Sequence, residues 1–382
     1  MDVLTAVGDL ELSRRYFWSR AGGGIYPVDA VVGIDEARVS VGAREFCCSM
    51  GMGQDFQQAT EDLTRLTGLR VSPERLRQIV EGEGQRVAQA RSQGTLAPSW
   101  SAEDAQVDAS GRTRLYVGAD GVKVRTVTQQ EKDKRRRDQA VRRQQRGRVG
   151  LGNTRPLSQA RPGSDQPFKE FKIGLFYDQS RTHVHAFATH RDHVALGRLL
   201  GEHAATLGWA QADERVSLSD GAPWIRNQIL EHLQPLHATL LDFYHLSEHV
   251  WSTGHTCLGE GEVAQKWIEE QLHALKHVGP QTVLAAIDDL HKQVRSPAKL
   301  ESLRLLRQYI LERWEMVEYR NALAHGWDIG SGPTEAMCKN LTLRLKRPGM
   351  KWDADHAAAM MNLIALKESR QWADYWRNRK CA

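Results

Sequence analysis

The hydrophobic positions change period several times along the chain. Residues 1–50 carry short alternating runs, such as 37–41, between glycines and prolines, which predicts small strands and loops. From Asp55 the period becomes helical and Gly68 ends it, and Ser72 before Pro73 then caps a second helix. The two helices resemble a helix-turn-helix, although an ordinary helical hairpin has the same spacing.

The middle of the chain alternates between strand and helix patterns. We predict strands at 115–122, 171–177 and 183–188, followed by a helix at 192–207. A strand at 215–220, a helix at 224–233 and a strand at 238–243 come next. This order is typical of a mixed α/β layer architecture. Residues 246–325 are predicted to be helical almost throughout, and two further helices are predicted at 333–345 and 354–370.

Composition limits the class of protein. Of 382 residues, 41% are hydrophobic and 26% are charged, which excludes a wholly disordered chain. The sequence contains no apolar run of about 18 residues and no signal-like start, so we predict no membrane contact. Its five cysteines show no C-x-x-C spacing and fit reduced thiols, which predicts a cytoplasmic, nucleoid-associated protein of bacterial type.

The net charge of +5 is unevenly distributed. Residues 1–110 have a net charge of −5, residues 111–200 of +12 and residues 201–382 of −2. Nine of the 17 residues at 132–148 are Lys or Arg, and we predict an exposed, mobile insertion at 130–167. Clustered cations predict a polyanionic partner, although many basic stretches are only solvated loops.

Three carboxylates stand where a catalytic site would place them. Asp120 and Asp220 each lie late in or just after a strand and precede a glycine, and Glu335 begins a helix after Gly-Ser-Gly-Pro. Converging carboxylates repel one another unless hard divalent cations neutralise them. Asp-Gly is also a common turn pair and Glu an ordinary capping residue, so spacing alone does not decide. Asp178 competes as a site residue but fits a hairpin turn better.

Four motifs in one order carry a family resemblance. They are VGADG at 117–121, LSDGAPWI at 218–225, LDFYHLSEH at 241–249 and GSGPTE at 330–335. With the basic RLK and GMKW that follow, at 344–346 and 349–352, they resemble DDE-type insertion-sequence transposases. The nearest group is the ISKra-like one, related to mutator-like transposases. The resemblance covers 110–365 well and 55–90 moderately.

The resemblance implies a fold and a domain order. It implies an α/β protein whose ribonuclease H-like catalytic core has a large all-helical insertion and follows a mainly helical N-terminal DNA-binding region. The expected units are a degenerate zinc-finger-like β/loop region at 1–54 and a helix-turn-helix-like DNA-binding region at 55–95. The first part of the core follows at 110–245, with a basic insertion at 130–167. The helical insertion at 246–328 then precedes the last part of the core and the C-terminal helices at 329–382.

The resemblance also implies the chemistry. Asp120, Asp220 and Glu335 would bind two Mg²⁺ ions, with Mn²⁺ able to substitute. Asp242 and His245, in a D-x-x-H signature, would support them or brace the insertion. Water would cleave double-stranded DNA at terminal inverted repeats, and the freed 3′-hydroxyl would attack target DNA, within a homodimer or higher oligomer. The expected DNA contacts are Arg344, Lys346, Arg347, Lys351, Trp352, Arg135, Arg136, Arg137, Arg142 and Arg143, although a tryptophan such as Trp352 is more often core.

One departure from the family keeps two alternatives open. Family members carry a cysteine-containing, zinc-finger-like element near residues 16–20 and extend further upstream, whereas this sequence has no cysteine there. The sequence is therefore also compatible with a truncated, catalytically inactive DNA-binding relic of a transposase. A ribonuclease H-like nuclease that only hydrolyses nucleic acid is the third reading.

Overall fold

A computed structural model of the chain describes residues 1–20, 23–31, 34, 38–147 and 165–381. The strands are β1 (Asp2–Thr5), β2 (Gly8–Glu11), β3 (Phe17–Ser19), β4 (Gly23–Ile25), β5 (Arg114–Arg125), β6 (Phe168–Asp178), β7 (Val184–Thr189), β8 (Glu214–Ser219) and β9 (Ala238–Leu241). The first helices are α1 (Pro27–Val31), α2 (Val41–Gly53), α3 (Phe56–Thr67), α4 (Pro73–Ser92), α5 (Gln129–Gln145), α6 (His193–Leu207) and α7 (Pro223–His232). The remaining helices are α8 (Phe243–Leu258), α9 (Glu262–His277), α10 (Pro280–Gln293), α11 (Pro297–Glu312), α12 (Tyr319–Ala324), α13 (Gly332–Leu343), α14 (Ala354–Glu368) and α15 (Trp372–Cys381).

A mixed five-stranded sheet forms the centre of the protein. Its strand order is β7-β6-β5-β8-β9. The pairs β5–β6 and β6–β7 are antiparallel, while β8 runs parallel to both β5 and β9. The predicted strands and helices between 115 and 243 are confirmed to within a few residues, including the hairpin of β6 and β7, and the mixed α/β class is confirmed with them.

Helices cover both faces of this sheet, because side chains alternate between the faces along each strand. On β5, Leu115 and Val117 pack with α6 and α7 in one apolar cluster. Tyr116 and Val122 instead belong to a second cluster, which contains α4, α13 and α14. The central strands are therefore buried on both sides, which explains their nearly continuous apolar sequence.

The predicted helical stretch after the sheet is confirmed as five helices, α8 to α12. Their apolar stripes form a cluster of their own, which includes Leu246, Ile268, Val283, Leu303 and Ile310. The helical insertion therefore has its own core. No helix in the described part of the chain is long and apolar enough to cross a membrane.

The structure corrects three predictions. In the described part of the alternating run, residues 38–41, only Val39 forms a bridge, to Leu4, and Ser40 caps α2, a helix missed in the sequence. α15 was missed as well. The basic segment predicted as a mobile insertion is helix α5 as far as Gln145, because a Thr128–Glu131 capping box starts it. Residues 148–164 of that predicted insertion lie outside the described residues.

The predicted helical pair is confirmed as α3 and α4, but it does not stand apart from the core. α3 ends at Gly68 in the left-handed conformation, and Ser72 caps α4, as the sequence indicates. α4 packs closely on α14: a Cβ at Gly84 would lie 2.1 Å from the carbonyl oxygen of Ala359. Only glycine permits this approach, so α4 is joined tightly to the sheet layer.

A buried ion network joins α4 to α2 and to α15. The Glu83 carboxylate, fully buried, accepts hydrogen bonds from Arg86 of the same helix and from Tyr375 and Arg379 of α15. Its second oxygen also lies 3.5 Å from Arg44 of α2, which is itself buried. The network satisfies charges that would otherwise be strongly destabilising in the interior.

We expect Glu83→Gln to lower the free energy of unfolding by about 3 kcal/mol, because it removes the buried negative charge that pairs with Arg379 and accepts a hydrogen bond from Tyr375. Urea denaturation followed by circular dichroism measures this. The matched control is Glu61→Gln on the exposed face of α3, which should change stability by less than about 0.5 kcal/mol. Equal stability of the two variants would mean that the network contributes nothing.

Candidate functional site

The sheet brings the first two predicted acids to the same level. β5 and β8 are parallel neighbours whose register pairs Arg114 with Glu214 and Val117 with Ser217. Asp120 lies three residues beyond Val117, and Asp220 lies three residues beyond Ser217. The register therefore sets Asp120, in the middle of β5, level with Asp220, which directly follows the carboxyl end of β8, where ligands commonly bind.

Asp120 lies in a setting that disfavours its charge. One carboxylate oxygen accepts a hydrogen bond from the backbone N–H of Gly121, and the Cys338 thiol hydrogen-bonds the same side chain. Burial raises the pKa of Asp120, and the negative charges of Asp220 and Glu170 raise it further. A buried carboxylate repelled by its neighbours would gain stability from a bound cation.

Glu335 reaches the same place from α13. It lines a cavity of about 470 Å³ together with Asp120, Cys338 and several lysines. α13 crosses β5 very closely, since a Cβ at Gly118 would lie 2.0 Å from Thr334 Oγ1. Glycine at 118 is thus required for the helix that carries Glu335 to lie against the strand that carries Asp120.

The helical insertion contacts Asp220. The Asp220 carboxylate accepts a hydrogen bond from the Ala222 N–H at 2.9 Å. The hydroxyl of Tyr309 on α11 donates to the Asp220 backbone carbonyl at 3.2 Å. Burial raises the pKa of Tyr309 to about 12, and the charges of Asp220 and Asp242 act in the same direction. Tyr309 therefore remains a neutral hydrogen-bond donor and joins the insertion to the candidate site.

Asp242 braces the insertion where its chain leaves and rejoins the core. One oxygen of this buried carboxylate accepts the N–H groups of Tyr244 and His245 and so caps α8. The other accepts the N–H of Ser331 at 2.9 Å, and the Ser331 hydroxyl also bonds it. That hydroxyl lies 3.2 Å from Glu335 Oε1, so Asp242 acts on the site through Ser331.

His245 lies beside the candidate site. Its ring centroid is 5.3 Å from that of His249 and 6.3 Å from that of Tyr309, the residue that bonds Asp220. The described side chains of His, Cys, Asp and Glu include no group of three arranged as ligands of a metal ion. The donor set of Asp120, Asp220 and Glu335 nevertheless suits a hard cation, since all its donors are carboxylate oxygens and Asp120 is destabilised by its own charge.

The residues predicted to contact DNA form three sets, and the first consists of the cations Lys346, Arg347 and Lys351, which follow α13. Lys346 is exposed and lines the cavity with Asp120 and Glu335. Arg347 is exposed and donates to the carbonyl of Gly53 at 2.7 Å, while Lys351 pairs with Glu131 at the start of α5. Only Lys346 of this group faces the candidate site directly.

Arg344 and Trp352 are buried, with exposed fractions of 3% and 5%. The Arg344 guanidinium lies between the rings of Phe56 and Trp352, at 5.0 and 5.1 Å, and Nε donates to the carbonyl of Gly51. Burial lowers the pKa of Arg344 to about 10. Neither side chain presents a surface to DNA in this conformation, because cation–π packing holds α13 to the N-terminal helices instead.

Five predicted DNA-binding arginines lie on α5. This helix has no buried residue, and Lys132 and Lys351 attach its first turns through Asp353 and Glu131. The arginines lie along the rest of this exposed helix, at Arg135, Arg136, Arg137, Arg142 and Arg143. Asp178, the competing acid, ends β6 and accepts the His183 N–H at 2.9 Å, which confirms its role in the hairpin turn.

Sequence reasoning missed several residues of this region. Lys123, Lys339 and Cys338 line the cavity with Asp120 and Glu335. Positions 335, 338, 339 and 342 are spaced by one to three residues and share one face of α13, so the pattern of this helix could have indicated Cys338 and Lys339. Tyr309 carries no such signal, because long-range packing alone brings it to Asp220.

Comparisons with known proteins find a distant relative and a weak structural match. No family model matches the chain. A relative described as "UPF0236 protein in vanSb 3'region" from Streptococcus gallolyticus is 24% identical over 375 residues, which cover 97% of this chain and 73% of that protein. The "Drosophila P element transposase strand transfer complex" covers 87% of this chain and 79% of its own at 12% identity. Its TM-score is 0.28, too low to support an argument about fold.

We expect Asp242→Ala to lower the free energy of unfolding by about 3 kcal/mol, because it removes a helix cap and leaves buried donors of Ser331 unpaired. Hydrogen exchange should accelerate at 243–246 and at 331–335 together. Asp192→Ala, which removes the exposed cap of α6, should cost about 1 kcal/mol and affect only that helix. Faster exchange confined to α8 would show that Asp242 does not connect the two segments.

Proposed function

We propose that this chain is a metal-dependent transposase with a ribonuclease H-like core, which cleaves and joins DNA at the ends of an insertion sequence. The observation that supports the proposal is the cavity that Asp120 and Glu335 both line, beside the Asp220 charge that raises the pKa of Asp120. The β5–β8 register sets Asp120 and Asp220 level with each other, and α13 carries Glu335 to the cavity. The four motifs that resemble the ISKra-like group contain these same acids.

The three acids would hold two Mg²⁺ ions, or Mn²⁺ in their place. When bound, such ions lower the pKa of a coordinated water and stabilise both the attacking and the leaving oxygen of a phosphodiester displacement. The contribution of the chain is to hold the carboxylates in place. The β5–β8 register fixes Asp120 and Asp220, and the Asp242–Ser331 contact fixes the first turn of α13, which carries Glu335.

Lysines beside the acids would position the DNA backbone. Lys123, Lys339 and Lys346 line the cavity, and none of the three forms an ion pair with another residue that the structure describes. Their ammonium groups can contact phosphates next to the scissile one, since phosphate contacts fix the position of the substrate. The freed 3′-hydroxyl would then attack a phosphate of the target DNA within the same site.

The remaining units would recognise and gather DNA. Residues 55–95, with α3 and α4, would contribute to binding at the terminal inverted repeats. The exposed arginines of α5 would bind phosphates without regard to sequence, and residues 246–328 would brace Asp220 through Tyr309. Because two ends of an element must be processed together, we propose a homodimer or higher oligomer on DNA.

We expect Asp120→Ala, Asp220→Ala and Glu335→Ala each to reduce Mn²⁺-dependent cleavage of inverted-repeat DNA by at least about 10³-fold, because each removes one cation ligand. Thermal melting should show folded variants, since removal of one of several repelling carboxylates does not destabilise the fold. The control is Glu248→Gln, an exposed acid on α8, which should cleave as the unchanged protein does.

The same assay distinguishes the other readings. Joining of the cleaved 3′ end to a second DNA supports a transposase, whereas cleavage without joining supports a nuclease. Specific DNA binding without cleavage in either metal would identify a relic. Full cleavage by any one alanine variant would remove that residue from the site.

We expect replacement of Arg135, Arg136, Arg137, Arg142 and Arg143 with Gln to weaken binding to duplexes of any sequence. Each lost phosphate contact should reduce the slope of log affinity against log salt by about 0.9. Gln preserves helix propensity, so α5 should persist. The control changes Arg304 and Arg307, exposed on α11, to Gln. An unaltered salt slope in the α5 variant would exclude this helix from DNA binding.

A further inference from the structure

A larger cavity lies apart from the acids. It has a volume of about 910 Å³, within the size range of sites for small molecules, and is formed by α4, β7, α6 and α14. It shares no lining residue with the cavity that contains Asp120 and Glu335. Its wall combines apolar side chains, such as Leu96, Phe187 and Leu199, with three arginines, Arg91, Arg191 and Arg198.

Arg91, at the end of α4, is an uncompensated cation in this wall. Its Nη2 donates to Gln371 Oε1 at 3.2 Å, but its Nε and Nη1 are buried without a hydrogen-bond partner. Among the described residues, no carboxylate lies within ion-pair distance of its guanidinium. Burial lowers the pKa of Arg91 to about 10, which still leaves it charged at neutral pH. A buried charge without a counter-charge is costly, which is why such groups usually have a partner.

The other charged groups around the cavity make it electropositive. Arg191 and Arg198 are exposed and form no ion pair with described residues. Two lining carboxylates, Glu202 and Asp355, oppose them, and Asp355 lies 3.0 Å from His190, whose pKa is lowered by burial. The three lining arginines therefore exceed the lining carboxylates by one positive charge. Burial and the charge of Arg91 lower the pKa of His203 to about 3, so this ring adds no positive charge.

We propose that this cavity is a binding site for a small organic phosphate, whose phosphate group lies against Arg91, Arg191 and Arg198. Guanidinium groups match phosphate oxygens in geometry and charge, and an anion here would supply the counter-charge that Arg91 lacks. The apolar wall at Phe187, Leu96 and Leu199 would hold the organic part. A small molecule fits better than duplex DNA, because α4, β7, α6 and α14 form the walls of the cavity.

This site is independent of the proposed function at the acids. It lies between α4, the second helix of the helix-turn-helix-like pair, and the α6 and α14 helices that cover the sheet. A ligand bound there would hold the N-terminal helices against the core. Stabilisation by the ligand should therefore appear in the intact chain without any DNA or divalent metal present.

The test uses the full chain with adenosine 5′-monophosphate as the probe, inorganic phosphate as the minimal anion and adenosine as the neutral control. Isothermal titration calorimetry and thermal melting are run without divalent metal. We expect saturable binding and a raised Tm with adenosine 5′-monophosphate, weaker effects with phosphate and none with adenosine. Absence of saturable binding by both anions would overturn the proposal.

Variants locate the binding. Arg91→Gln should weaken the affinity for adenosine 5′-monophosphate by about tenfold or more, while its Tm without ligand stays equal or rises because a buried charge is removed. Arg295→Gln, an exposed arginine that bonds only backbone carbonyls, should bind as the unchanged protein does. Equal affinity of the Arg91→Gln and unchanged proteins would overturn the proposal.

Two further measurements guard the interpretation. If Arg91→Gln does not fold, Arg198→Gln replaces it, since this exposed side chain has no packing role, and it should weaken binding several-fold. Lys346→Gln should leave the affinity unchanged, because Lys346 lines only the other cavity. A loss of anion binding in Lys346→Gln would place the anion at the acids, and loss of duplex DNA binding in Arg91→Gln would make DNA the occupant.

Discussion

The Asp242 carboxylate connects the two parts of the core that the helical insertion separates. It caps α8 through the N–H groups of Tyr244 and His245 and accepts both the N–H and the hydroxyl of Ser331. The chain thus leaves the sheet and returns to it at one buried anion. Hydrogen bonds to a buried charge are strong, and the four donors compensate its desolvation. The first turn of α13, with Glu335, is placed beside β5 as a consequence.

The candidate site combines stabilised and unstabilised charges. Asp242 has four donors, whereas Asp120 is half-buried near Asp220 and Glu170 and has its pKa raised by burial and their repulsion. A structure gains no stability from such a cluster, so its presence is more typical of a functional site than of a structural one. Lys123, Lys339 and Lys346 line the same cavity as Asp120 and Glu335 and reduce the negative potential there without forming ion pairs to these two acids.

Most elements of the fold could be predicted from local pattern, and the misses have local explanations. Asp55 caps the start of α3, Gly68 ends that helix, and Ser72 caps the start of α4. The strands of the sheet are short apolar runs between turn residues. The alternating pattern of residues 38–41 predicts a strand, but Ser40 caps α2 there instead of continuing a strand. The sequence predicts an exposed, mobile insertion at 130–167, whereas a capping box and helix-forming residues make Gln129–Gln145 the helix α5.

By itself, the sequence determined the element order, the mixed α/β class, the candidate acids and the exposed basic segment, since periodicity, capping and charge are local properties. Tertiary structure alone decided which cations are available. It buried Arg344 and Trp352 against Phe56 and left Lys346 beside Asp120. It also set Arg91 in the wall of a second cavity, with no carboxylate of the described residues beside it. These outcomes depend on strand register and helix packing between distant segments, and the burial of a charged side chain is decided by such contacts and not by its neighbours in sequence.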